Sequence, residues 1–362
     1  MKVEKLKNLG SFYGGLTGKT KEDFEEGNAK FVSYMDVYSN QTLKADINSC
    51  VKVGANEKQN KIEYGDILFT GSSETPEECG MSCAVTNEIK DDLYLNSFCF
   101  GFRFNNLDEI DPGFYAHYFR SNNARKSIAK TANGVTRFNV SKKLFGEISI
   151  PLPSLTKQRE IVTTLDSCTS LIAGLRQELT LRKKQYEYYR EKMLSVEGEW
   201  KRLGEIGTIN SGKCKERCED GKYPLYGSTG EIARTNSCPN EGFRILIARV
   251  GANAGFVYRV DGKYDVSDNT LIFKNNDSVN ANYIFYYLQY LNLNQFAKGG
   301  GQPLVTAGDL KNLEIPVPPL SVQQSIVERL DAFEGLISAL SREVELREKQ
   351  YEHLRERLLS FG

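Results

Sequence analysis

Histidine is nearly missing from this chain, with His117 and His353 the only two in 362 residues. Neither sits in a recognisable constellation of nucleophile and paired carboxylate, so general acid–base chemistry has little to work with and a catalyst is not expected. Net charge of either sign is missing too. The 47 Lys and Arg are matched by 47 Asp and Glu, so any nucleic-acid surface must be local. No stretch reaches the ~18 to 20 apolar residues of a membrane span, and "MKVEKLKNLG" has no apolar core of a secretory signal. A cytoplasmic location without a membrane is expected. There the eight cysteines (Cys50, Cys79, Cys83, Cys99, Cys168, Cys214, Cys218, Cys238) are expected to be reduced thiols.

Several familiar motifs fail on inspection. "LTGKT" invites a phosphate-loop reading, but the pattern needs glycine where Tyr13 stands. No Asn or Asp is followed by Pro-Pro and an aromatic, and "IDPGFY" lacks the second proline, so no methyltransferase signature is visible. Cys79/Cys83 and Cys214/Cys218 are C-x-x-x-C pairs with Cys238 a possible third ligand. Without a suitable histidine such a site would borrow carboxylates or distant cysteines, and no metal is expected.

What the chain does have is a repeat. "LRKKQYE" at Leu181 to Glu187 returns as "LREKQYE" at Leu346 to Glu352. Placing Ile150 on Ile315, an offset of 165 (315 − 150), aligns the chain without a gap from "IPLPSL" through "EKMLS". Pro151, Pro153, Gln158, Ile161, Leu165 and Asp166 fall on Pro316, Pro318, Gln323, Ile326, Leu330 and Asp331. A weaker match sets "LGSFYGGLTGK" (Leu9 to Lys19) against "LGEIGTINSGK" (Leu203 to Lys213) at an offset of 194 (203 − 9). The chain thus alternates variable module and long repeat, twice.

Inside each repeat apolar residues recur in a 4-3 alternation, the seam of a coiled coil. The expected interface comprises Ile161, Leu165, Ile172, Leu175, Leu179 and Tyr186 on one helix and Ile326, Leu330, Ile337, Leu340, Val344 and Tyr351 on the other. The prolines of "IPLPS" and "IPVPPL" cannot continue a helix, so each starts just after them, with Thr156 and Ser321 as candidate N-caps and a Ser321/Gln324 capping box. Gly198 and Gly362 lie just beyond the ends. Almost 40 residues make a helix of roughly 58 Å. Each seam needs a partner, and the matching one is the other copy. Connectivity favours an antiparallel pair with the modules at opposite ends. Arg182 and Arg347 interrupt the seams at equivalent positions, either to specify register or to snorkel toward solvent or a neighbouring acid.

A module ending in "IPLPSLTKQREIV", a heptad helix, a second module ending in "IPVPPLSVQQSIV" and a second helix resembles the specificity subunit of Type I restriction-modification systems over essentially the whole chain. The resemblance implies an α+β protein of two globular α/β target-recognition domains, residues 1–153 and 198–318, separated by two long antiparallel helices, residues 154–197 and 319–362, forming a coiled coil with a pseudo-two-fold internal repeat. It implies that each domain reads one half of a split, asymmetric double-stranded DNA site and that the helices set the gap. It further implies two adenine methyltransferase (modification) subunits as partners, which bind the S-adenosylmethionine, and restriction/translocase subunits that can join them. The chain itself would need no cofactor. Two readers on a rigid spacer address half-sites about one turn of B-DNA, roughly 34 Å, apart, and lengthening the helices by four or seven residues would change the gap.

Phosphate grip calls for Lys and Arg with hydroxyls and amides, and base readout for Arg, Lys, Asn or Gln. In the first module the candidates are Lys19, Thr20, Arg120, Arg125, Lys130 and Arg137. In the second they are Lys213, Tyr226, Ser228, Thr229, Arg249, Lys298 and Gln302; the "YPLYGSTG" and "KGGGQ" segments carrying several of them resemble stretches of recognition domains. The rival readings are a coiled-coil scaffold that binds proteins and not DNA, which has no use for duplicated modules with diverged interiors, and a nuclease, for which no acidic metal cluster is visible.

Overall fold

The structure, a computed structural model, describes residues 2–299 and 303–361. It divides into two compact units, Met1–Leu175 with Glu343–Gly362, and Arg176–Arg342. The cut falls inside both long helices, Leu155–Leu194 and Leu320–Leu359, each of 40 residues. Each unit is therefore one module together with part of either helix.

In the first unit a four-stranded antiparallel sheet takes the order Gly10–Gly14, Cys99–Phe104, Ile67–Thr70, Ser82–Ala84. Successive side chains on a strand point to opposite faces. Ile67 and Phe69 accordingly join an aromatic core with Phe100, Phe102, Phe114 and Phe145, while Leu68 joins Val32, Val37, Cys83 and Cys99 on the other face. With both faces covered, "ILFT" reads as a continuous apolar run. A smaller sheet places Ala29–Val32 between Cys50–Val51 and the parallel strand Leu93–Leu95.

The second unit repeats this plan with different residues. Its antiparallel sheet runs Gly207–Ser211, Thr270–Asn275, Arg244–Ala248, Val257–Val260. Its smaller sheet places Tyr223–Gly227 between Gly230–Thr235 and the parallel strand Lys263–Val266. Each unit also carries a two-stranded ribbon, Lys2–Lys5 with Ser149–Leu152 and Glu199–Arg202 with Glu314–Val317.

These equivalences correct the alignment of the module starts. A one-turn helix follows the ribbon in both units, Leu6–Leu9 and Leu203–Ile206, with Leu6 and Leu203 both fully buried. Leu203 corresponds to Leu6, not Leu9, so the offset is 197 (203 − 6). Gly10 and Gly207 then coincide, and each is a glycine for the same reason. A Cβ at either would collide with the neighbouring strand, at 2.1 Å from Arg103 O and 2.6 Å from Lys274 O. The shared "GK" of the two openings is a coincidence of composition one turn out of register.

Both helices begin slightly before the expected caps. Ser154 caps the first, its Oγ accepting from Lys157 N at 3.4 Å and its carbonyl from Gln158 N at 2.9 Å. In the second, Pro319 O accepts from Gln323 N at 3.1 Å, and Gln324 turns to Glu328 and Asn280 instead of forming a box with Ser321. A proline cannot donate but its carbonyl accepts, so the cap falls on the residue just after the proline in the first helix, Ser154, and on the proline itself in the second, Pro319. Gly362 lies outside the described residues.

In the first unit Ile161 and Leu165 share one core with Leu359, Tyr351, Leu354 and Leu358, and Phe114 meets Phe361 at 6.0 Å between ring centroids. The start of the first helix thus lies beside the end of the second. In the second unit Leu194 and Met193 share a core with Ile326, Val327 and Leu330, and Tyr186 and Tyr189 meet Phe333. Within each unit the two helices run antiparallel. All twelve expected seam residues are buried or half-buried, with Ile161, Leu165, Ile326 and Leu330 packed into module cores as well. Arg182 and Arg347 reach along their own helices, back to Glu178 and Glu343 and forward to Gln185 and Gln350. That is the snorkelling alternative, not a buried register key.

The repeated polar residues fasten helix to module. Gln158 is fully buried. Its amide donates to Pro153 O at 2.9 Å and Glu109 O at 2.8 Å and accepts from Asp111 N at 2.8 Å, the N-cap of helix Pro112–Tyr118. Gln323 does the same job, donating to Pro318 O at 2.7 Å and accepting from Asn280 N at 2.8 Å, the N-cap of helix Ala281–Tyr290. Asp166 accepts from the buried His117 at 2.8 Å, and Asp331 from Tyr286 at 2.6 Å. His117 is thereby a structural hinge-pin between module and helix.

Candidate nucleic-acid interface

In the second unit the turn Ser267–Asn269 joins the two sheets, and backbone hydrogen bonds gather other segments around it. Ser267 N donates to Tyr226 O, Gly212 N to Thr270 O, Arg249 N to Asn269 O and Val305 N to Arg249 O, each at 2.9 Å. The side chain of Ser228 adds a bond to Asn269 O at 3.2 Å, and Lys298 and Leu304 pair backbone to backbone in both directions at 2.9 Å. Lys213, Tyr226, Ser228, Thr229, Arg249 and Lys298, scattered over 86 positions (298 − 213 + 1), are thus collected around one turn. Gln302 lies outside the described residues. Tyr226 packs edge-on against Tyr264, and burial, helped by the charge of Glu231, raises its pKa; Lys298 is ion-paired to Asp309 at 2.6 Å. Beside Gly212–Cys214 opens a polar cleft of about 640 Å³ lined by Lys213, Lys215, Arg244 and Lys274 together with Glu216 and Asp265.

The first unit builds the same frame around Asn96–Phe98. Asn96 N donates to Val32 O at 3.0 Å, Gly15 N to Cys99 O at 3.3 Å, Gly71 N to Phe98 O at 2.7 Å and Val140 N to Gly71 O at 2.9 Å. Gly15 and Gly212 are the fixed points of the two frames: a Cβ would stand 2.0 Å from Asn96 O in one and 2.2 Å from Ser267 O in the other. Asn133 pairs with Asn139, as Lys298 pairs with Leu304. Both pairs obey the offset of 165 (298 − 133), so the repeat continues upstream of Ile150 into this hairpin. Arg137 stands beside the turn, its guanidinium 5.6 Å from the ring of Phe98 and its Nε 3.2 Å from Ser72 Oγ.

Four expected contacts are turned to internal use. The Nζ of Lys19 bonds Lys52 O and Glu57 at 2.6 Å each, and that bond holds the Glu57 carboxyl down to about 2. Thr20 donates its amide at 2.9 Å and its hydroxyl at 3.3 Å to the carboxylate of Asp23 in the short helix Glu22–Phe24. Arg120 donates to the carbonyls of Ser82, Val37, Tyr38 and Asn40, and burial lowers its pKa. Arg125 donates to the carbonyls of Gly80, Glu77 and Cys79, and burial pushes it down to about 10. Loop carbonyls shut away from water need donors, and a guanidinium offers five. Lys130 is exposed just past helix Asn122–Ala129.

Other residues of these frames carry no recognisable motif in the sequence. Phe98 is 59% exposed, Val135 at the hairpin tip 91%, and Phe256 51% while stacked on Tyr258. Asn269 is exposed at the end of its turn. Of the buried side-chain polar atoms without a hydrogen-bond partner among the described residues, Arg249 Nε, Ser267 Oγ and Thr270 Oγ1 belong to this frame, Ser267 at 3% exposure. The available signal was local: "NSF" and "SDN" are turn sequences between apolar runs, and a phenylalanine in such a turn has no core to enter. No group of three metal-ligating side chains converges among the described residues, and no helix is long and apolar enough to cross a membrane.

The model of the type I restriction modification DNA specificity domain matches the chain twice, over residues 1–181 and 196–346. The chain is 31% identical over 243 residues to the type I restriction enzyme EcoprrI specificity subunit of Escherichia coli, covering 62% of this chain and 60% of that subunit. It is 33% identical over 264 residues to the EcoR124I/EcoR124II specificity subunit of the same organism, covering 62% and 64%. Less than two thirds of either relative is spanned. The fold is similar to that of the type I restriction-modification S subunit from M. genitalium, with a TM-score of 0.63 over 100% of this chain and 96% of that one at 16% identity. A doubled module match over most of the sequence, on a doubled frame, shows that the chain belongs to the type I restriction modification DNA specificity family.

Proposed function

We propose that this chain is the sequence-specificity subunit of a type I restriction-modification complex. It catalyses nothing alone; each module reads one half of a bipartite, asymmetric DNA site, and the helix pair fixes the interval between the halves. The modules are taken as residues 1–153 and 198–318 and the helical segments as 154–197 and 319–362. The observation that carries the reading is a backbone frame built twice, with different side chains mounted on it each time. A duplicated scaffold with divergent outer residues suits a device that must address two different half-sites.

Two adenine methyltransferase subunits, which would bind the S-adenosylmethionine, are the proposed partners, with restriction subunits able to join. Support comes from leucines the seam does not use. Leu171 and Leu336 are exposed, as are Leu181 and Leu346, and each pair is related by the repeat. Exposed apolar residues kept in both copies suit two copies of one partner.

The test is co-expression with the cognate modification subunit, followed by genome-wide sequencing of methylated adenines. The expected result is methylation at one split motif that vanishes when this chain is deleted, with no methylation by the purified chain alone. Unchanged methylation after deletion would overturn the proposal.

A further inference from the structure

Both modules hang a two-sheet turn on the same four backbone hydrogen bonds, yet no residue at those bonds is shared apart from the glycine pair and the valine pair Val140/Val305. Phe98 occupies the place of Asn269, Gly71 that of Arg249, and Val32 that of Tyr226. Bonds made by backbone groups survive any side chain, so such a frame can hold its shape while its surface changes. Resting on the reading above, we infer that this turn is the base-reading head of each module, joined in the first by the hairpin loop that carries Arg137, with Phe98 and Arg137 setting specificity in the first and Arg249 and Asn269 in the second.

The chemistry at these positions fits the grooves of DNA. Arginine matches the O6/N7 edge of guanine and asparagine the N6/N7 edge of adenine. An exposed phenylalanine can meet a thymine methyl or wedge between base steps, and Phe98 stands on the surface with Arg137 over its face. A Cβ on Gly71 would lie 2.7 Å from Phe98 O, so the first module reads through the turn residue and the hairpin. The second has a guanidinium at that place, with a buried Nε that has no hydrogen-bond partner among the described residues. Arg120 and Arg125, the other arginines expected to read in the first module, are committed to internal carbonyls. The lysines around the cleft beside Gly212–Cys214 are placed for phosphate grip and carry no base information.

The experiment uses the full complex and reads the methylated motif for Arg137→Ala, Phe98→Ala, Asn269→Ala and Arg249→Ala, with Lys126→Ala, exposed on another helix, as control. Asn269 and Phe98 are exposed, so their variants keep the fold; a melting temperature within about 2 °C of wild type checks this. Phe98→Ala and Arg137→Ala should relax discrimination at positions in one half-site by about 10- to 100-fold, leaving the other half intact. Asn269→Ala and Arg249→Ala should relax the opposite half. If Phe98→Ala and Asn269→Ala leave the motif unchanged, or lower methylation uniformly at every site as phosphate contacts do, the inference is wrong while the subunit reading stands. A wild-type complex with no split motif would instead bring down the reading itself, and the inference with it.

Discussion

Replacing Gln158 with leucine should loosen the first module from its helix and leave the second untouched. The side chain is fully buried and makes three hydrogen bonds, to Pro153 O, Glu109 O and Asp111 N. Leucine keeps the volume, so no cavity opens, and the cost is that of stranded polar groups at about 1–3 kcal/mol for each one kept from water. Glu109 is exposed and its carbonyl can turn to solvent, whereas Pro153 is buried and Asp111 half-buried. That leaves one full and one partial penalty, about 2–4 kcal/mol, or a fall in melting temperature of about 4–15 °C for a unit of this size. Gln323→Leu should cost a similar amount through Pro318 O and Asn280 N. The site-resolved check is amide exchange: Asp111 N–H should lose protection in Gln158→Leu while Asn280 N–H keeps it, and the reverse in Gln323→Leu. A stability change under about 0.5 kcal/mol, or equal loss of protection at both amides in either variant, would refute the clamp.

Acid should act on the ribbon of the first unit through Glu147, whose carboxyl is held down to about 2, chiefly by its hydrogen bond from Lys5. A depressed carboxylate contributes stability above its ordinary value of 4.5 and loses it as pH falls toward about 2. Melting curves of wild type and Glu147→Gln should therefore differ at pH 6 and converge between pH 4.5 and 2; a gap independent of pH contradicts this. Burial pushes the thiols of Cys83 and Cys99 up to about 12, so iodoacetamide at pH 8 should label Cys218 and Cys238 well before either, as read by mass spectrometry of the native protein. Asp66, fully buried, accepts from Tyr13 at 2.6 Å and from Arg103 at 2.7 and 2.8 Å. Asp66→Asn should cost about 2–4 kcal/mol in denaturant titrations, and a neutral outcome would show that Glu63 alone satisfies Arg103.

The long helices were legible because their pattern has a physical period. A seam of apolar residues every three and four positions can be satisfied in few ways, and Ile161 through Tyr351 are buried or half-buried as that period requires. Their ends were less legible, since a cap depends on which carbonyl and hydroxyl happen to face the first turn; Ser154 won over Thr156 by geometry that spacing does not carry. The modules were opaque for a different reason. Their common frame rests on amide and carbonyl groups, which every residue but proline has, so Gly71 and Arg249 can do the same backbone work and leave no trace of it in the letters. Identity misled where composition was cheap, as with the "GK" pairs, and Leu6 and Leu203 gave the true register only once their burial was visible. Arginines posed the converse difficulty: Arg120 and Arg137 look alike in sequence, yet one feeds four carbonyls and the other lies over an exposed ring. What stays constant between the copies is therefore what fastens: the prolines, the glutamine, the aspartate and the seam. What drifts is what faces outward from the frame, and a surface free to drift on a frame that cannot is where a reader of varied sequences has to be mounted.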